Sequence, residues 1–231
     1  AVDSCMTEDR TADKIIVDIR RLLADFKMTT YNEVTGRGFL RHVLVKRGFA
    51  TNEVMVVLVT GTPIFPARNN FLRALLKLHP EITTVVQNVN DRYTSMLLGP
   101  SEKTLYGPGF ITDVLCGLKF RSSAKSFYQI NPAQTEVLYG KAMEFAGLTG
   151  RETVIDAYCG IGTIGMIAAK TAGQVLGVEG NRDAVRDAIA NAKLNNMKNI
   201  RFVCADAGEF MVDMAQNGER CDVLLMDPPR A

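Results

Sequence analysis

The chain has no long apolar run, no pairing pattern among its cysteines and almost no net charge. No stretch approaches the roughly 20 apolar residues that a membrane-spanning helix needs. The opening residues also lack the basic-then-apolar pattern of a signal peptide. The five cysteines are odd in number and contain no Cys-x-x-Cys pair, which argues against a disulfide framework and a zinc site. These absences predict a metal-free cytoplasmic protein that does not enter the membrane.

A formal net charge of +2 in 231 residues gives little electrostatic indication of a nucleic-acid partner. The densest basic stretch, residues 37–47, contains Arg41, His42 and Lys46 and offers possible phosphate contacts. A solvated strand edge explains the same residues more simply. Composition therefore leaves the choice of partner open.

Apolar periodicity divides the chain into two parts, residues 1–124 and 125–231. The first part mixes helix and strand patterns typical of a smaller α+β domain with a mixed or antiparallel sheet. Its expected elements are a helix over 11–27, strands over 40–46, 54–59 and 83–89, and a helix over 69–78.

The second part alternates short apolar strands with helices, which predicts a parallel sheet covered by helices. Its expected strands are 154–155, 175–178, 200–203 and 223–226. The predicted fold class is therefore α/β, with a Rossmann-like sheet. Ligands of such sheets bind beyond the carboxyl ends of the strands.

A glycine-rich motif, residues 156–165 (DAYCGIGTIG), directly follows the first of these strands. Glycines allow sharp turns and close approach of a ligand to the backbone. Gly160, Gly162 and Gly165 satisfy the dinucleotide-binding fingerprint when it is applied literally, and Glu179 lies near the expected distance. An NAD-dependent oxidoreductase is thus one candidate.

Asp156 argues against that candidate, because it places a carboxylate at the end of the strand, close to where a pyrophosphate binds. A carboxylate there repels phosphate but suits a ligand with an ammonium group. S-adenosylmethionine carries that group and has no phosphate, so it is the predicted cofactor.

Two further acidic residues follow neighbouring strands. Glu179 is suited to accept hydrogen bonds from both ribose hydroxyls of an adenosine cofactor, or to cap the next helix. Asp206 is suited to accept from the adenine amino group, and capping of the helix after it is an equally good account.

Residues 227–230 (DPPR) follow the last predicted strand. Two prolines supply no donor to a sheet, so the strand ends there and a rigid loop follows. An aromatic residue after Asp-Pro-Pro is typical of enzymes that methylate exocyclic amino groups. This chain has Arg230 instead, which argues against an amino-directed nucleic-acid methyltransferase, the second candidate.

With these motifs the chain resembles the RNA uracil-5-methyltransferases. The resemblance covers nearly the whole chain and is carried by residues 127–132 (FYQINP), 156–163 and 227–230, with residues 38–42 (GFLRH) similar to the family's RNA-facing domain. The FYQINP block is the most specific, because generic methyltransferases lack it.

The resemblance implies methylation of carbon 5 of a uridine in structured transfer or ribosomal RNA. The partner is thus expected to be RNA, and the protein is expected to be a monomer. Gln129, Tyr158, Glu179 and Asp227 match positions that contact the cofactor. Phe127 matches a position near the flipped base, and Arg230 is assigned to the substrate. Asp156, Gly160, Gly162 and Asp206 complete the predicted cofactor set.

In that family a cysteine thiolate attacks carbon 6 of uracil and a carboxylate later removes the proton from carbon 5. Both groups follow the DPPR block, whereas this sequence ends at Ala231. We therefore expect no catalytic residue in this chain, and no catalysis by the chain itself. Cys159 is expected to pack under the cofactor loop. A non-catalytic RNA-binding module is a further alternative for the chain alone.

Overall fold

The computed structural model describes residues 3–228, and these fall into two compact units, Ala1–Ile111 and Thr112–Ala231. The elements of the first unit are α1 (Arg10–Asp25), β1 (Leu40–Arg47), β2 (Val54–Thr60), α2 (Arg68–Leu78), β3 (Ile82–Val89) and β4 (Ser101–Tyr106). Helix α1 begins at Asp9, whose side chain accepts hydrogen bonds from two backbone N–H groups of the first turn.

The first unit is built on a four-stranded sheet in the order β1-β2-β3-β4. β1 and β4 run antiparallel to their neighbours, while β2 and β3 are parallel, so the sheet is mixed, as the sequence indicates. Every residue of β2 is buried, which agrees with its unbroken apolar sequence. Helices α1 and α2 contribute Ile15, Ile19 and Leu75 to the same core.

The second unit contains the remaining elements. They are β5 (Phe110–Leu115), which crosses the division, β6 (Leu118–Ser123), α3 (Pro132–Ala146), β7 (Thr153–Ala157), α4 (Thr163–Ala168), β8 (Gln174–Glu179), α5 (Arg182–Leu194), β9 (Ile200–Cys204), α6 (Ala207–Gln216) and β10 (Val223–Met226). Strands β7 to β10 form a parallel sheet in the order β10-β7-β8-β9. The predicted parallel, helix-covered sheet is confirmed.

The strand order has a functional consequence. From β7 the chain moves outward to β8 and β9, and then returns to place β10 on the other side of β7. The chain therefore leaves β7 towards one side of the sheet, and the connection into β10 crosses to the other side of β7. Such a switch point opens a crevice at the carboxyl ends of the strands.

The second unit also holds a two-stranded sheet, β5-β6, that the sequence assigned to the first part by placing the boundary at residue 124. Helix α5 packs along β6 and bonds to its backbone. Those contacts join residues about 70 positions apart, and local sequence patterns do not reveal them.

Candidate functional site

The glycine-rich loop leaves β7 through backbone conformations that favour glycine. Tyr158, Gly160 and Gly162 all have left-handed φ angles, of 63°, 55° and 83°. A Cβ atom on Gly162 would lie 2.9 Å from the ring of Phe202, whereas one on Gly160 would meet no atom within 4 Å. Gly162 is thus required by packing, while the space beside Gly160 is open.

Asp156 lies beneath this loop. The residue is 1% exposed, and its Oδ2 accepts a 2.7 Å hydrogen bond from the backbone N–H of Gly165 at the start of α4. Burial raises its pKa to about 7, and the negative charges of Asp227 and Glu179 add to this, although the Gly165 N–H opposes it. Asp156 thus supports the loop through its backbone at Gly165, and its predicted role in cofactor binding stays a prediction.

Glu179 ends β8 and connects the loop to the next helix. Its Oε2 accepts from the N–H of Gly160 over 3.0 Å, and its Oε1 accepts from the N–H of Asn181 over 2.8 Å. Asn181, rather than Glu179, caps α5 with its side chain. Since each carboxylate oxygen has a second lone pair, Glu179 retains acceptor capacity for a ligand.

Asp206 follows β9 and caps α6. Its Oδ1 accepts from the N–H of Glu209 over 3.0 Å, so the capping account holds. The side chain is exposed at the carboxyl edge of the sheet, close to the position of Gly208. The Tyr158 hydroxyl also approaches Gly208, so these residues border the same side of the loop.

Asp227 directly follows β10. Because Met226 pairs with Ala157, the parallel register brings Asp227 beside Tyr158 at the switch point. Asp227 is exposed. Arg230, the predicted substrate residue, lies outside the described residues.

Residues 127–132 include side chains with structural contacts and side chains that are exposed. Tyr128 packs towards Phe120, with ring centroids 6.4 Å apart, and burial raises the pKa of its phenol. Asn131 caps α3 by accepting from the N–H of Gln134. Phe127 and Ile130 are instead exposed, by 72% and 86%.

Tyr139 is a buried residue at the site that the sequence reasoning missed. Its Oη lies 3.4 Å from Oγ1 of Thr163, the first residue of α4. Burial raises the pKa of the Tyr139 phenol, and the hydrogen bond with Thr163 opposes this. The charge of Asp227 raises the same pKa and a hydrogen bond with Gln129 lowers it, so both residues lie near Tyr139. The sequence signal that could have found Tyr139 is its spacing of four residues from Thr135, which places both on one face of α3. The structure shows that both residues are buried.

The cysteine beside the loop is a packing residue. Cys159 is buried, and its Sγ would lie only 2.9 Å from a Cβ on Gly177 of β8. Burial raises the pKa of its thiol further above its usual value, and the charges of Asp156 and Glu179 act in the same direction. Cys159 is therefore a poor nucleophile in this position.

The structure thus brings Asp156, Tyr158, Glu179 and Asp227 together around the glycine loop, with Asp206 at its border. Burial is the main cause of the raised pKa of Asp156, and the negative charges of Asp227 and Glu179 raise it further. An arrangement of this kind favours a cationic ligand over a phosphate.

Comparison with known proteins agrees with this geometry. Residues 148–228 match the family model described as a methyltransferase domain. An RNA methyltransferase of Enterococcus faecalis is 46% identical over 96% of this chain, and one of Halalkalibacterium halodurans is 43% identical over 99%. The chain covers 49% and 50% of these proteins, which is about half of their length.

This chain is a homologue of RNA methyltransferases. Among solved structures it is similar to the tRNA (uracil-54, C5)-methyltransferase of Pyrococcus abyssi in complex with S-adenosyl-L-homocysteine. The TM-score is 0.80 and the identity 26%, over 99% of this chain and 54% of that one. The predicted Rossmann-like methyltransferase fold is confirmed. In the part of the chain that the structure describes, no helix is both long enough and apolar enough to span a bilayer.

Proposed function

We propose that the second unit binds S-adenosylmethionine at the carboxyl edge of its sheet, and that the protein serves the methylation of carbon 5 of a uridine in structured RNA. The observation that carries the cofactor assignment is the group of carboxylates around the glycine loop, Asp156, Glu179 and Asp227. They suit the positive ammonium and sulfonium groups of S-adenosylmethionine and repel the pyrophosphate of NAD.

The described residues fit this cofactor. Glu179 has free acceptor capacity for the ribose hydroxyls. Asp206 is exposed at the carboxyl edge of the sheet, and we assign it to the adenine amino group. The open space beside Gly160 admits the ligand against the backbone. Tyr158 and Asp227 lie at the same end of the sheet, and Gln129 lies beside Tyr139. We assign all three to the methionine part of the cofactor. When bound, the cofactor supplies an electrophilic methyl group.

Uridine in transfer or ribosomal RNA is the proposed substrate. Support comes from the FYQINP block, and from a neighbour at 26% identity that is a tRNA uracil C5-methyltransferase. The exposed ring of Phe127 is suited to stack on a base that has left the RNA stack. We also propose that the protein acts as a monomer.

We further propose that this 231-residue chain binds the cofactor without completing methyl transfer. The cysteine nearest the loop, Cys159, is buried with a raised pKa. In this proposal the nucleophile and the base come from sequence corresponding to the half of the relatives that the chain does not span.

Calorimetry with S-adenosylhomocysteine and with NADH tests the cofactor assignment. We expect binding of the first and no binding of the second, and the opposite result would overturn the proposal. Methyl transfer to transcribed tRNA and ribosomal RNA is then followed by mass spectrometry of the nucleosides. We expect 5-methyluridine from a polypeptide of the relatives' length that contains this chain, and none from the chain alone. A methyl group on an exocyclic amino group would favour the amino-directed alternative.

A further inference from the structure

Three side chains on one face of α5 bind the hairpin strand β6. Asn195 pairs with the backbone of Lys119, accepting from its N–H over 2.9 Å and donating to its carbonyl oxygen over 2.7 Å. Asn191 makes the same pair of bonds with Arg121, at 2.7 Å and 3.2 Å. Asp187 accepts from the hydroxyl of Ser123 over 2.8 Å.

The geometry of helix and strand explains this match. Four residues of a helix rise about 6 Å, and two residues of a strand extend about 6.6 Å. Side chains at positions 187, 191 and 195 therefore keep step with residues 123, 121 and 119 of β6. Because the two amides supply both a donor and an acceptor, α5 replaces a neighbouring strand along this edge of β6.

Asn191 differs from Asn195 in one respect. Its Nδ2 also donates to the carbonyl oxygen of Ile161, within the glycine loop, over 3.3 Å. Asn191 is 0% exposed, so water does not replace these bonds when they are lost. The Nδ2 of Asn195 also donates a second hydrogen bond, but its acceptor is the backbone carbonyl oxygen of Asn191, one turn earlier in the chain.

The same helix face also fixes the segment that leads to the FYQINP block. The Ser126 hydroxyl donates to Asp187, and Phe127 follows directly. The buried amide of Asn191 is thus bonded both to the cofactor loop and to β6, the strand that precedes the block.

We infer that Asn191 is a positioning residue: it holds the glycine loop in register with β6, and so with Phe127 and Gln129. The inference rests on the proposed cofactor site. It implies that Asn191 acts on ligand affinity through the loop, without touching the ligand.

Asn195→Ala is the control for Asn191→Ala, because it breaks the equivalent pair of bonds to β6, at Lys119 instead of Arg121, and leaves the loop bond intact. S-adenosylhomocysteine affinity is measured by calorimetry well below the unfolding temperature of each variant. We expect Asn191→Ala to weaken binding about tenfold and Asn195→Ala to leave it within about twofold. Equal effects of the two changes, or no effect of Asn191→Ala, would overturn the inference.

Hydrogen exchange of the ligand-free protein provides a readout that does not depend on the cofactor. We expect Asn191→Ala to speed exchange of amides in both 118–123 and 158–165, and Asn195→Ala to do so only in 118–123. If wild-type protein fails to bind S-adenosylhomocysteine but the two variants show this exchange pattern, the proposed function fails and the coupling stands. Asn191→Ser, which puts a shorter side chain with one hydroxyl in place of the amide, is the second variant if Asn191→Ala does not fold, and the same two readouts apply.

Discussion

Glu179 of β8 and Gly160 of the glycine loop are joined by a 3.0 Å hydrogen bond from the glycine N–H to the carboxylate. The residue proposed to bind the ribose therefore also holds the backbone against which the cofactor lies. Replacing Glu179 should therefore weaken cofactor binding for two reasons: a charged acceptor is lost, and the loop is no longer held by the bond to Gly160.

Glu179→Ala should weaken S-adenosylhomocysteine binding by at least about tenfold, because hydrogen bonds to charged groups contribute about 1.5–3 kcal/mol. Glu209→Ala, which also removes one negative charge but from the exposed first turn of α6, is the control. Calorimetry at constant ionic strength measures both variants. Equal weakening by the two changes would show that only the overall charge matters.

Gly160 and Gly162 give a paired test of space in the loop. Gly162→Ala should lower the free energy of unfolding by at least about 1–2 kcal/mol, since the left-handed φ is strained and the added methyl meets Phe202 at 2.9 Å. Gly160→Ala carries the same conformational cost but meets no protein atom within 4 Å.

Gly160→Ala should therefore remain the more stable of the two variants and yet lose cofactor affinity, because its methyl group enters the space proposed for the ligand. Urea unfolding and calorimetry separate the two effects. Unchanged affinity in Gly160→Ala would place the ligand elsewhere.

The sequence predicted the strand and helix order of the second unit and the loop that carries the site, because these follow from local apolar periodicity and glycine spacing. It did not predict the burial of Asp156, since exposure depends on how α4 returns over the strand. Nor did it reveal that Asn191 and Asn195 bind β6. Asparagines in a helix have no local pattern that identifies a partner 70 residues away.

The pKa of Asp156 predicts a pH-dependent affinity. A cationic ligand favours the ionised carboxylate, so binding should release a proton while Asp156 is partly protonated, around its raised pKa of about 7. Affinity for S-adenosylmethionine should rise as pH increases through about 7 and then level off. Calorimetry in buffers of different ionisation enthalpy measures the released proton.

Asp156→Asn should abolish this dependence, because the amide keeps an acceptor for the Gly165 N–H but does not titrate in this range. Asp206→Asn is the control, since asparagine also caps helices and the residue is exposed. Persistence of the proton release in Asp156→Asn would assign it to another group.

The same group affects stability with a defined sign. The folded-state pKa of Asp156 is raised above its ordinary value of 3.8, so the folded protein holds the proton more tightly than the unfolded chain. Its contribution to stability is fully present below pH 3.8 and is lost as pH rises through about 7. Relative to Asp156→Asn, the wild-type protein should thus lose stability as pH rises from about 4 to about 7 and change little above that, as measured by urea unfolding.

Phe127 and Phe145 are two exposed phenylalanines of the second unit, 72% and 85% exposed, and only Phe127 belongs to the FYQINP block. Because neither ring contributes to a buried core, replacement by alanine should leave the unfolding free energy and the S-adenosylhomocysteine affinity unchanged in both variants. Phe127→Ala alone should weaken binding of a uridine-containing RNA hairpin, by about tenfold if the ring stacks on a base. Fluorescence anisotropy at fixed salt measures this. A similar loss in Phe145→Ala would indicate a general apolar contribution, and the assignment of Phe127 to the substrate base would then be wrong.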